Sequence, residues 1–373
     1  MQCPHFDAHR CRSCALMGTP HAEQLAGKET LCRQLLADHP GIGWLPAVAG
    51  AESGFRNKAK MVVGGTVDSP SLGILDRDGR GVDLSDCGLY PDTLQAAFPA
   101  LTSFITRAGL EPYDVPGRRG ELKYFIVTQS PAGELMLRIV VRDETSLPGI
   151  RAELPWLLAA LPQLKVVSAN LHPEHKAVLE GEIELPLTEQ QQLPMTINGV
   201  PLRLRPRSFF QTNTEIAAAL YREAVAWTDA LGPDTVWDLY CGVGGFALHL
   251  ARPGRDVLGV EAGAEAVQAA TDAAAALDVP ARFVAADATG YALSSAEAPE
   301  LVVVNPPRRG IGDELAGWLE ASGAGHVLYS SCNAVSLAKD LAAMPSLRPV
   351  KARVFDMFPQ THHYEVLTLL QRR

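Results

Sequence analysis

The chain has 373 residues, 47% of them hydrophobic and 20% charged, which predicts a globular protein of two or three domains. The net charge of −9 argues against a nonspecific nucleic-acid coat protein. It leaves RNA binding open, because a local basic groove is sufficient for that function. No apolar run has the length of a membrane span, and the N-terminus lacks the apolar segment of a signal peptide. We therefore expect a cytoplasmic protein with no membrane partner.

The N-terminal segment is rich in cysteine. Three cysteines with the spacing C-x7-C-x2-C are followed by a fourth in a Gly/Pro-flanked loop: Cys3, Cys11, Cys14 and Cys87. In a cytosolic chain, such thiols favour metal binding or catalysis over disulfide formation. Four thiolates suit zinc or an iron–sulfur cluster, and the spacing does not choose between them. His5 and His9 lie between these cysteines, so a mixed Cys/His zinc site is an alternative.

The first half of the chain mixes helical and strand-like patterns. The residues over 21–39 predict a helix that ends before Gly41, with an apolar face formed by Leu31, Cys32, Leu35 and Leu36. The segments that follow predict strands over 48–90, a helix over 92–110, a hairpin over 117–144 that turns at 131–133, a helix over 147–161 and strands to about 206. This order is typical of an α+β region.

From about residue 207, strands and helices alternate, which predicts an α/β domain with a largely parallel sheet. An amphipathic helix over 214–231 comes first. Seven strands follow, at about 235–239, 256–260, 281–285, 301–304, 326–329, 350–355 and 366–370. Helices are predicted near 264–277, 314–322 and 334–343.

The stretch DLYCGVGGF joins the first of these strands to a helix by a glycine-rich turn. Gly242, Gly244 and Gly245 permit tight backbone conformations and close approach of a ligand. The turn lacks the Gly-Lys-Ser/Thr of a P-loop and the spacing of the dinucleotide fingerprint. Glu261 ends the next strand, where an acid can bind ribose hydroxyls, and Asp287 follows the third strand, where it can bind an adenine amino group. These features favour S-adenosylmethionine, although both acids also suit a helix cap or an exposed loop.

Cys332 lies where the strand HVLY gives way to a helix. The carboxyl ends of strands are where open α/β sheets place their chemistry, and the helix dipole is expected to favour the thiolate. A buried structural thiol is the alternative. Glu365 precedes the last strand, so its carboxylate is a candidate base beside the same edge.

The sequence Asn305-Pro-Pro-Arg308 ends another strand and supports a rival hypothesis. It is similar to the NPP[YF] motif of amino-methyltransferases, in which the asparagine binds the target amine. That motif requires an aromatic residue at position 308, where this chain has arginine. A noncatalytic RNA-binding factor with a degenerate site is a third hypothesis.

Taken together and in order, SFFQTN, DLYCGVGGF, NPPRRG, SSCN and FPQTHHYEVLTLL resemble the RNA uracil-C5 methyltransferases. The resemblance implies a class I (Rossmann-like) methyltransferase domain with a seven-stranded sheet over 207–373. It further implies a central α+β domain that binds RNA over 91–206 and a small cysteine-cluster region over 1–90, to which Cys87 returns.

The resemblance also implies roles for individual residues. Cys332 is the expected nucleophile toward C6 of uracil, and Glu365 is the expected base that removes the C5 proton. Residues expected to bind S-adenosylmethionine are Gln211, Tyr240, Glu261 and Asn305, together with Gly242, Gly245 and Asp287 from the turn and the third strand. Contacts to the target base are expected from Phe209, Phe210, Arg308 and His363. The resemblance implies that Cys3, Cys11, Cys14 and Cys87 hold a [4Fe-4S] cluster.

The expected partner is RNA. A cysteine cluster at the N-terminus, asparagine in NPPR and the lack of an N-terminal TRAM-type barrel favour the branch of the family that acts on 23S rRNA. A tRNA uracil-C5 methyltransferase is the alternative. No obligatory protein partner is evident from the sequence.

Overall fold

The computed structural model describes residues 1–175 and 179–373, so the part of the predicted strand region at 176–178 lies outside the described residues. The strands are β1 (Gly43–Trp44), β2 (Lys58–Gly65), β3 (Pro70–Leu75), β4 (Gly81–Asp83), β5 (Leu122–Gln129), β6 (Leu135–Val141), β7 (Leu164–Leu171), β8 (Ile183–Pro186), β9 (Leu193–Ile197), β10 (Val200–Leu204), β11 (Thr235–Leu239), β12 (Asp256–Glu261), β13 (Ala281–Ala285), β14 (Leu301–Val304), β15 (His326–Ser331), β16 (Leu347–Phe355) and β17 (Glu365–Arg372).

The helices are α1 (Pro4–Asp7), α2 (His21–Leu35), α3 (Asp92–Gln95), α4 (Phe98–Arg107), α5 (Leu147–Ala160), α6 (Thr214–Leu231), α7 (Gly245–Leu250), α8 (Ala264–Leu277), α9 (Ala288–Ser294), α10 (Gly312–Ala321) and α11 (Ala334–Ala342). Within the described ranges, no helix is long and apolar enough to cross a membrane.

Two compact units interleave along the chain. The first comprises Met1–Cys14, Ser53–Met195 and Arg205–Arg207. The second comprises Ala15–Glu52, Thr196–Leu204 and Ser208–Arg373.

An eight-stranded sheet, in the order β1-β16-β17-β15-β14-β11-β12-β13, forms the centre of the second unit. Strand β17 runs antiparallel to both of its neighbours, whereas the pairs from β15 through β14, β11 and β12 to β13 are parallel. The seven strands predicted in this region are all present. The eighth, β1, is a two-residue strand that pairs in parallel with β16 and that the sequence analysis missed.

The central strands of this sheet are largely apolar because helices cover them. All four residues of β14 are buried, as are Val327, Leu328 and Tyr329 of β15. This pattern is typical of parallel sheets that are buried on both faces. The core so formed fixes the carboxyl ends of β11, β14 and β15 beside one another.

Helix α2 buries a different stripe from the predicted one. Leu31 is 43% exposed, and the buried positions within the helix are Gln24, Lys28 and Cys32. They recur at four-residue intervals and so share one helix face. Two of the three, Gln24 and Lys28, are polar, and both bond to the segment that precedes β17. The predicted apolar face was therefore wrong for Leu31.

The first unit contains a mixed seven-stranded sheet in the order β4-β3-β2-β5-β6-β7-β8. Apolar faces of α4 and α5 belong to its core. The predicted hairpin is confirmed: β5 and β6 pair antiparallel, and Gly133 in the connecting turn has a φ of +84°. The predicted helix over 92–110 is instead two helices, α3 and α4. Pro99, which lacks an N–H donor, lies in the first turn of α4, where that donor has no helical partner.

Candidate active site

A pocket of about 610 Å³ lies at the carboxyl edge of the eight-stranded sheet. Its volume is within the range typical of small-molecule sites. The predicted site residues that line it are Gln211, Tyr240, Gly242, Gly245, Glu261, Asn305, Cys332 and Glu365. The expected base contacts Phe209, Phe210, Arg308 and His363 line the same pocket. The structure therefore brings together the two expected catalytic side chains and all but one of the expected cofactor residues.

The glycine-rich turn between β11 and α7 forms one wall of this pocket. Tyr240 has a φ of +71° and Gly242 a φ of +54°, so the chain turns sharply directly after β11. A left-handed backbone at a tyrosine costs about 1 kcal/mol or more, and such residues cluster at functional sites. The turn is held because the backbone N–H groups of Tyr240 and Cys241 both donate to the Val260 carbonyl oxygen, each at 3.0 Å.

Gly245 begins α7 and leaves no space for a side chain. A Cβ at this position would overlap the Tyr221 hydroxyl and lie 2.9 Å from Tyr221 Cζ. Tyr221 itself is fixed, because it is 6% exposed and stacks on His249 with ring centroids 4.5 Å apart. The absence of a side chain lets the start of α7 pack directly against Tyr221, which also lines the pocket.

Glu261 ends β12 and is oriented by two backbone donors. Its Oε2 accepts from the Gly242 N–H at 3.1 Å, and its Oε1 accepts from the Gly263 N–H at 2.9 Å. The carboxylate thus joins the glycine-rich turn to the end of β12. Carboxylate oxygens retain lone pairs beyond these two bonds, which suits them to accept from ribose hydroxyls.

Asp287 caps a helix, which is the alternative role that the sequence predicted for it. It is the N-cap of α9, and its Oδ1 accepts from the Gly290 N–H at 2.8 Å. It is absent from the described residues that line the pocket. Its contact with an adenine amino group stays a prediction.

Cys332 lies between the end of β15 and Asn333, the N-cap of α11, whose side chain accepts from the Val335 N–H. Burial raises the pKa of the Cys332 thiol above its ordinary value of 9.0, and the nearby Glu365 raises it further. Arg308 acts in the opposite sense. Desolvation outweighs these favourable contributions, so the preference for the thiolate expected from the helix dipole does not bring the pKa of Cys332 below its ordinary value.

Glu365 is the first residue of β17 and is 2% exposed. Its Oε1 accepts from Ser330 Oγ at 2.5 Å and from Asn305 Nδ2 at 3.0 Å. Burial raises the pKa of this carboxyl to about 7, and the two hydrogen bonds act in the opposite direction. A carboxyl with a pKa near neutrality has the property that a general base needs.

The Asn305 amide is engaged by the protein itself. Its Nδ2 donates both to Glu365 and, at 3.2 Å, to the Ser330 carbonyl oxygen. These bonds orient the amide toward Glu365 and leave Oδ1 as the atom that could accept from a target amine. The arginine at position 308, in place of an aromatic residue, is what weakens that rival hypothesis.

Several residues of the pocket and its surroundings escaped the sequence analysis. Tyr221 and Phe246 line the pocket, yet each lies on an apolar helix face where a core role was the simpler interpretation. Asp238, at the end of β11, is fully buried; its Oδ2 accepts from the Ala247 N–H, and its Oδ1 has no partner among the described residues. Burial raises the Asp238 pKa to about 7. Its position in DLYCGVGGF was the available signal.

The predicted iron–sulfur cluster is contradicted by the arrangement of the side chains. In residues 1–175 and 179–373, no group of three or more His, Cys, Asp or Glu side chains is arranged to hold a metal ion. The prediction of a [4Fe-4S] cluster on Cys3, Cys11, Cys14 and Cys87 was therefore wrong.

The mixed zinc alternative fails by the same finding, because that finding holds for histidine as well as cysteine side chains. Both imidazoles have other partners. His5 Nε2 bonds to Asp86 Oδ1 at 2.5 Å, and His9 bonds to Arg12. The spacing of the cysteines indicated the kind of ligand but carried no information about whether the side chains converge.

Known proteins that are similar to this chain are methyltransferases. Residues 188–284 and 286–373 match the family described as tRNA (Uracil-5-)-methyltransferase. A protein of Serratia proteamaculans (strain 568), named 23S rRNA (uracil(747)-C(5))-methyltransferase RlmC, is 51% identical over 374 residues and covers 100% of both chains. A protein of Yersinia pestis (strain Pestoides F) with the same name is 51% identical over 375 residues, with the same coverage.

The fold is that of a solved methyltransferase. The tRNA (uracil-54, C5)-methyltransferase of Pyrococcus abyssi, in complex with S-adenosyl-L-homocysteine, superimposes with a TM-score of 0.80 at 24% identity, covering 96% of this chain and 85% of that one. The α/β methyltransferase class is thereby confirmed. With full-length relatives at 51% identity, the chain belongs to the family of S-adenosylmethionine-dependent RNA uracil-C5 methyltransferases.

Proposed function

We propose that the protein transfers a methyl group from S-adenosylmethionine to C5 of one uridine in 23S rRNA, at the position equivalent to uridine 747 of the relatives' names. Full-length identity of 51% to the Serratia and Yersinia proteins supports this substrate over tRNA. The Pyrococcus tRNA enzyme shares the fold at 24% identity, which carries no information about substrate.

One observation carries the proposal: Cys332 and Glu365 line the same pocket as the glycine-rich turn. A nucleophile, a base and a cofactor wall in one cavity are the groups that C5 methylation of uracil requires. Neither a core thiol nor a surface acid accounts for that convergence.

The pocket fits S-adenosylmethionine by its own features. Gly245 packs directly against Tyr221 at the wall of the pocket, and Glu261 keeps lone pairs for a ribose. Gln211 and Tyr240 complete the wall that we assign to the cofactor. When bound, S-adenosylmethionine supplies an electrophilic methyl group.

The protein's task is to make C5 of uracil a nucleophile. Cys332, after losing its thiol proton to solvent, adds to C6; the C5–C6 double bond breaks, and the ring becomes an enolate with carbanion character at C5. Arg308 assists this step, because its charge lowers the pKa of Cys332. After methyl transfer, Glu365 removes the C5 proton, the double bond reforms, and Cys332 leaves as a thiolate.

The target base must leave its stack to reach Cys332. Phe209 is 75% exposed although it lines the pocket, which suits an aromatic ring that awaits a partner. We assign base contacts to Phe209, Phe210, Arg308 and His363. We also propose that the region 91–206, with its mixed sheet, contributes to RNA binding, and the boundaries at 90 and 206 stay part of that proposal.

Methyl transfer from labelled S-adenosylmethionine tests the function. Unmodified 23S rRNA is expected to accept one methyl group per molecule, and unmodified tRNA none. Cys332→Ala is expected to reduce turnover by at least about 10³-fold, since covalent activation of C5 is lost. Cofactor binding, measured by calorimetry, is expected to persist in that variant and serves as the control for folding.

Two results would contradict the proposal. Transfer to tRNA but not to 23S rRNA would establish the tRNA alternative. Turnover by Cys332→Ala near the wild-type rate would remove the covalent mechanism.

A further inference from the structure

The two oxygens of Glu365 have unequal surroundings. Oε1 accepts hydrogen bonds from Ser330 Oγ and Asn305 Nδ2. Oε2 accepts none within the described part of the chain, and it is not among the buried polar atoms that lack a partner. Glu365 lines the pocket and is only 2% exposed. The small accessible part of its carboxyl therefore faces the cavity.

We propose that Ser330 is a positioning residue: its hydroxyl, with the Asn305 amide, holds Glu365 by Oε1 and thereby directs Oε2 at the C5 proton of the bound uridine. This inference rests on the proposed function. It adds a residue, Ser330, to which the sequence patterns gave no role.

The geometry of the strands explains how Ser330 does this. Ser330 is in β15, which pairs antiparallel with β17, so the side chains of Ser330 and Glu365 come from adjacent strands. Asn305 follows β14, on the other side of β15. Two donors that approach one oxygen from separate elements fix both the position and the plane of the carboxyl, whereas one donor would leave it free to rotate.

Ser330 is fully buried, so its hydroxyl has no solvent to bond instead. The hydroxyl must donate to satisfy itself, and Glu365 Oε1 is the acceptor at 2.5 Å. Donors to a carboxylate stabilise its ionised form. The same bond that orients Glu365 therefore also offsets part of the effect of burial and keeps a share of the carboxyl ionised near neutral pH.

The step served by this arrangement balances. The C5–H bond of the methylated adduct breaks, and the proton forms an O–H bond with Glu365 Oε2. The electron pair of the C5–H bond becomes the C5–C6 double bond, and the bond from C6 to Cys332 breaks with its electrons on sulfur. The proton on Oε2 passes to solvent when the product leaves.

The test is Ser330→Ala, measured by steady-state methylation of 23S rRNA between pH 6 and pH 9. We expect kcat at pH 7 to fall about tenfold, with KM for RNA and the Kd for the cofactor unchanged. The acidic limb of the rate profile is expected to move to higher pH, because loss of the donor raises the pKa of Glu365. Covalent protein–RNA adduct is expected to accumulate, since addition of Cys332 precedes removal of the proton.

Thr368→Val is the matched control. Thr368 is a fully buried residue of the neighbouring strand β17, and its Oγ1 has no hydrogen-bond partner among the described residues. This substitution also removes a buried hydroxyl from the sheet but touches no donor to Glu365. It is expected to keep the wild-type pH profile.

If Ser330→Ala does not fold, Ser330→Thr and Ser330→Val replace it. These variants have nearly equal volume and differ by the hydroxyl. We expect Ser330→Thr to keep the wild-type acidic limb and Ser330→Val to move it.

A wild-type kcat and acidic limb in Ser330→Ala, or equal limbs in the Thr and Val variants, would overturn the inference. RNA that contains 5-fluorouridine separates this outcome from failure of the proposed function. It has no C5 proton to remove, so wild type and Ser330→Ala are expected to trap equal amounts of adduct. No adduct with the wild-type protein would contradict the proposed function itself.

Discussion

At the scale of single residues, the site depends on two groups whose charged forms are disfavoured by burial. The pKa of Cys332 lies above 9.0, and that of Glu365 is about 7. Each would raise the other's pKa further if both were ionised, so the surroundings of Cys332 favour a neutral thiol. The positive charge of Arg308 acts in the opposite direction and lowers the pKa of Cys332.

Glu365→Gln is expected to stabilise the protein at alkaline pH while abolishing turnover. The carboxyl has a folded-state pKa of about 7 against an ordinary 4.5, so its contribution to stability is fully present below pH 4.5 and is lost as the pH rises through 7. The amide carries no charge to bury. Denaturant unfolding should show a gain of about 1–3 kcal/mol at pH 8.

The same variant should show a much smaller gain at pH 5, where the wild-type carboxyl is neutral in the folded protein. Turnover is expected to fall at least about 10²-fold at every pH, because no base remains. A gain that is equal at pH 5 and pH 8 would show that burial of charge is not its cause.

The sequence predicted residues of this site to different extents. Cys332, Glu261 and Glu365 were identifiable because each flanks a strand at the carboxyl edge of a parallel sheet, and such edges converge. Ser330 was not, since a serine inside an apolar strand carries no periodic signal and its partner lies 35 residues away. Asp287 was ambiguous because an acid after a strand suits both a ligand and a helix cap.

At the scale of elements, α2 holds the segment that carries Phe358 and His363 into the pocket. Lys28 Nζ donates to Asp356 Oδ1 at 2.6 Å and to the Phe358 carbonyl oxygen at 3.0 Å. Gln24 donates to Gln360 Oε1 at 3.0 Å and accepts from the Gln360 N–H at 2.9 Å. A helix distant in sequence thus orders the approach to β17 and to Glu365.

Gln24→Ala is expected to destabilise the protein by about 1–3 kcal/mol, because it leaves buried polar groups of Gln360 unpaired. The measurement is urea unfolding together with KM for RNA, which should rise as the segment before β17 loosens. The control is Glu29→Gln, which removes a partly exposed ion pair with Arg33 on the same helix. It should cost less than about 1 kcal/mol. Equal costs for the two variants would refute this role of α2.

Gly245→Ala tests the close contact between the glycine-rich turn and α6. The added methyl overlaps the immobile Tyr221, so a loss of about 1–3 kcal/mol of stability is expected, along with at least tenfold weaker cofactor binding by calorimetry. Gly317→Ala is the matched control: its Cβ meets no atom within 4 Å, and it lies within α10. That variant should be stabilised by about 0.5–1 kcal/mol. Unchanged cofactor binding in Gly245→Ala would contradict the assigned wall.

At the scale of the whole molecule, the chain crosses between its two units several times. Residues 15–52 belong to the second unit although they precede most of the first. The sequence predicted the alternating strands of the second unit because their apolar runs are long and bounded by turns. It missed β1, since two residues carry no periodicity and their pairing with β16 joins parts of the chain about 300 residues apart.

The cysteine cluster fails at this same scale. Ligand type can be deduced from spacing, whereas coordination requires side chains from distant segments to meet at one point in a suitable arrangement. Among the described residues, no group of three or more His, Cys, Asp or Glu side chains has that arrangement, and His5 and His9 bond to Asp86 and Arg12. Composition and net charge carried no information on this point.

The central claim is that Cys332 forms a covalent bond to C6 of the target uridine. It is tested most directly by incubating the protein with S-adenosylmethionine and 23S rRNA that contains 5-fluorouridine, followed by nuclease digestion and mass spectrometry of the peptides. A methylated fluorouridine on the peptide that contains Cys332 is the predicted result, and its absence from Cys332→Ala is the control. An unmodified Cys332 peptide, from protein that methylates normal 23S rRNA, would contradict the claim.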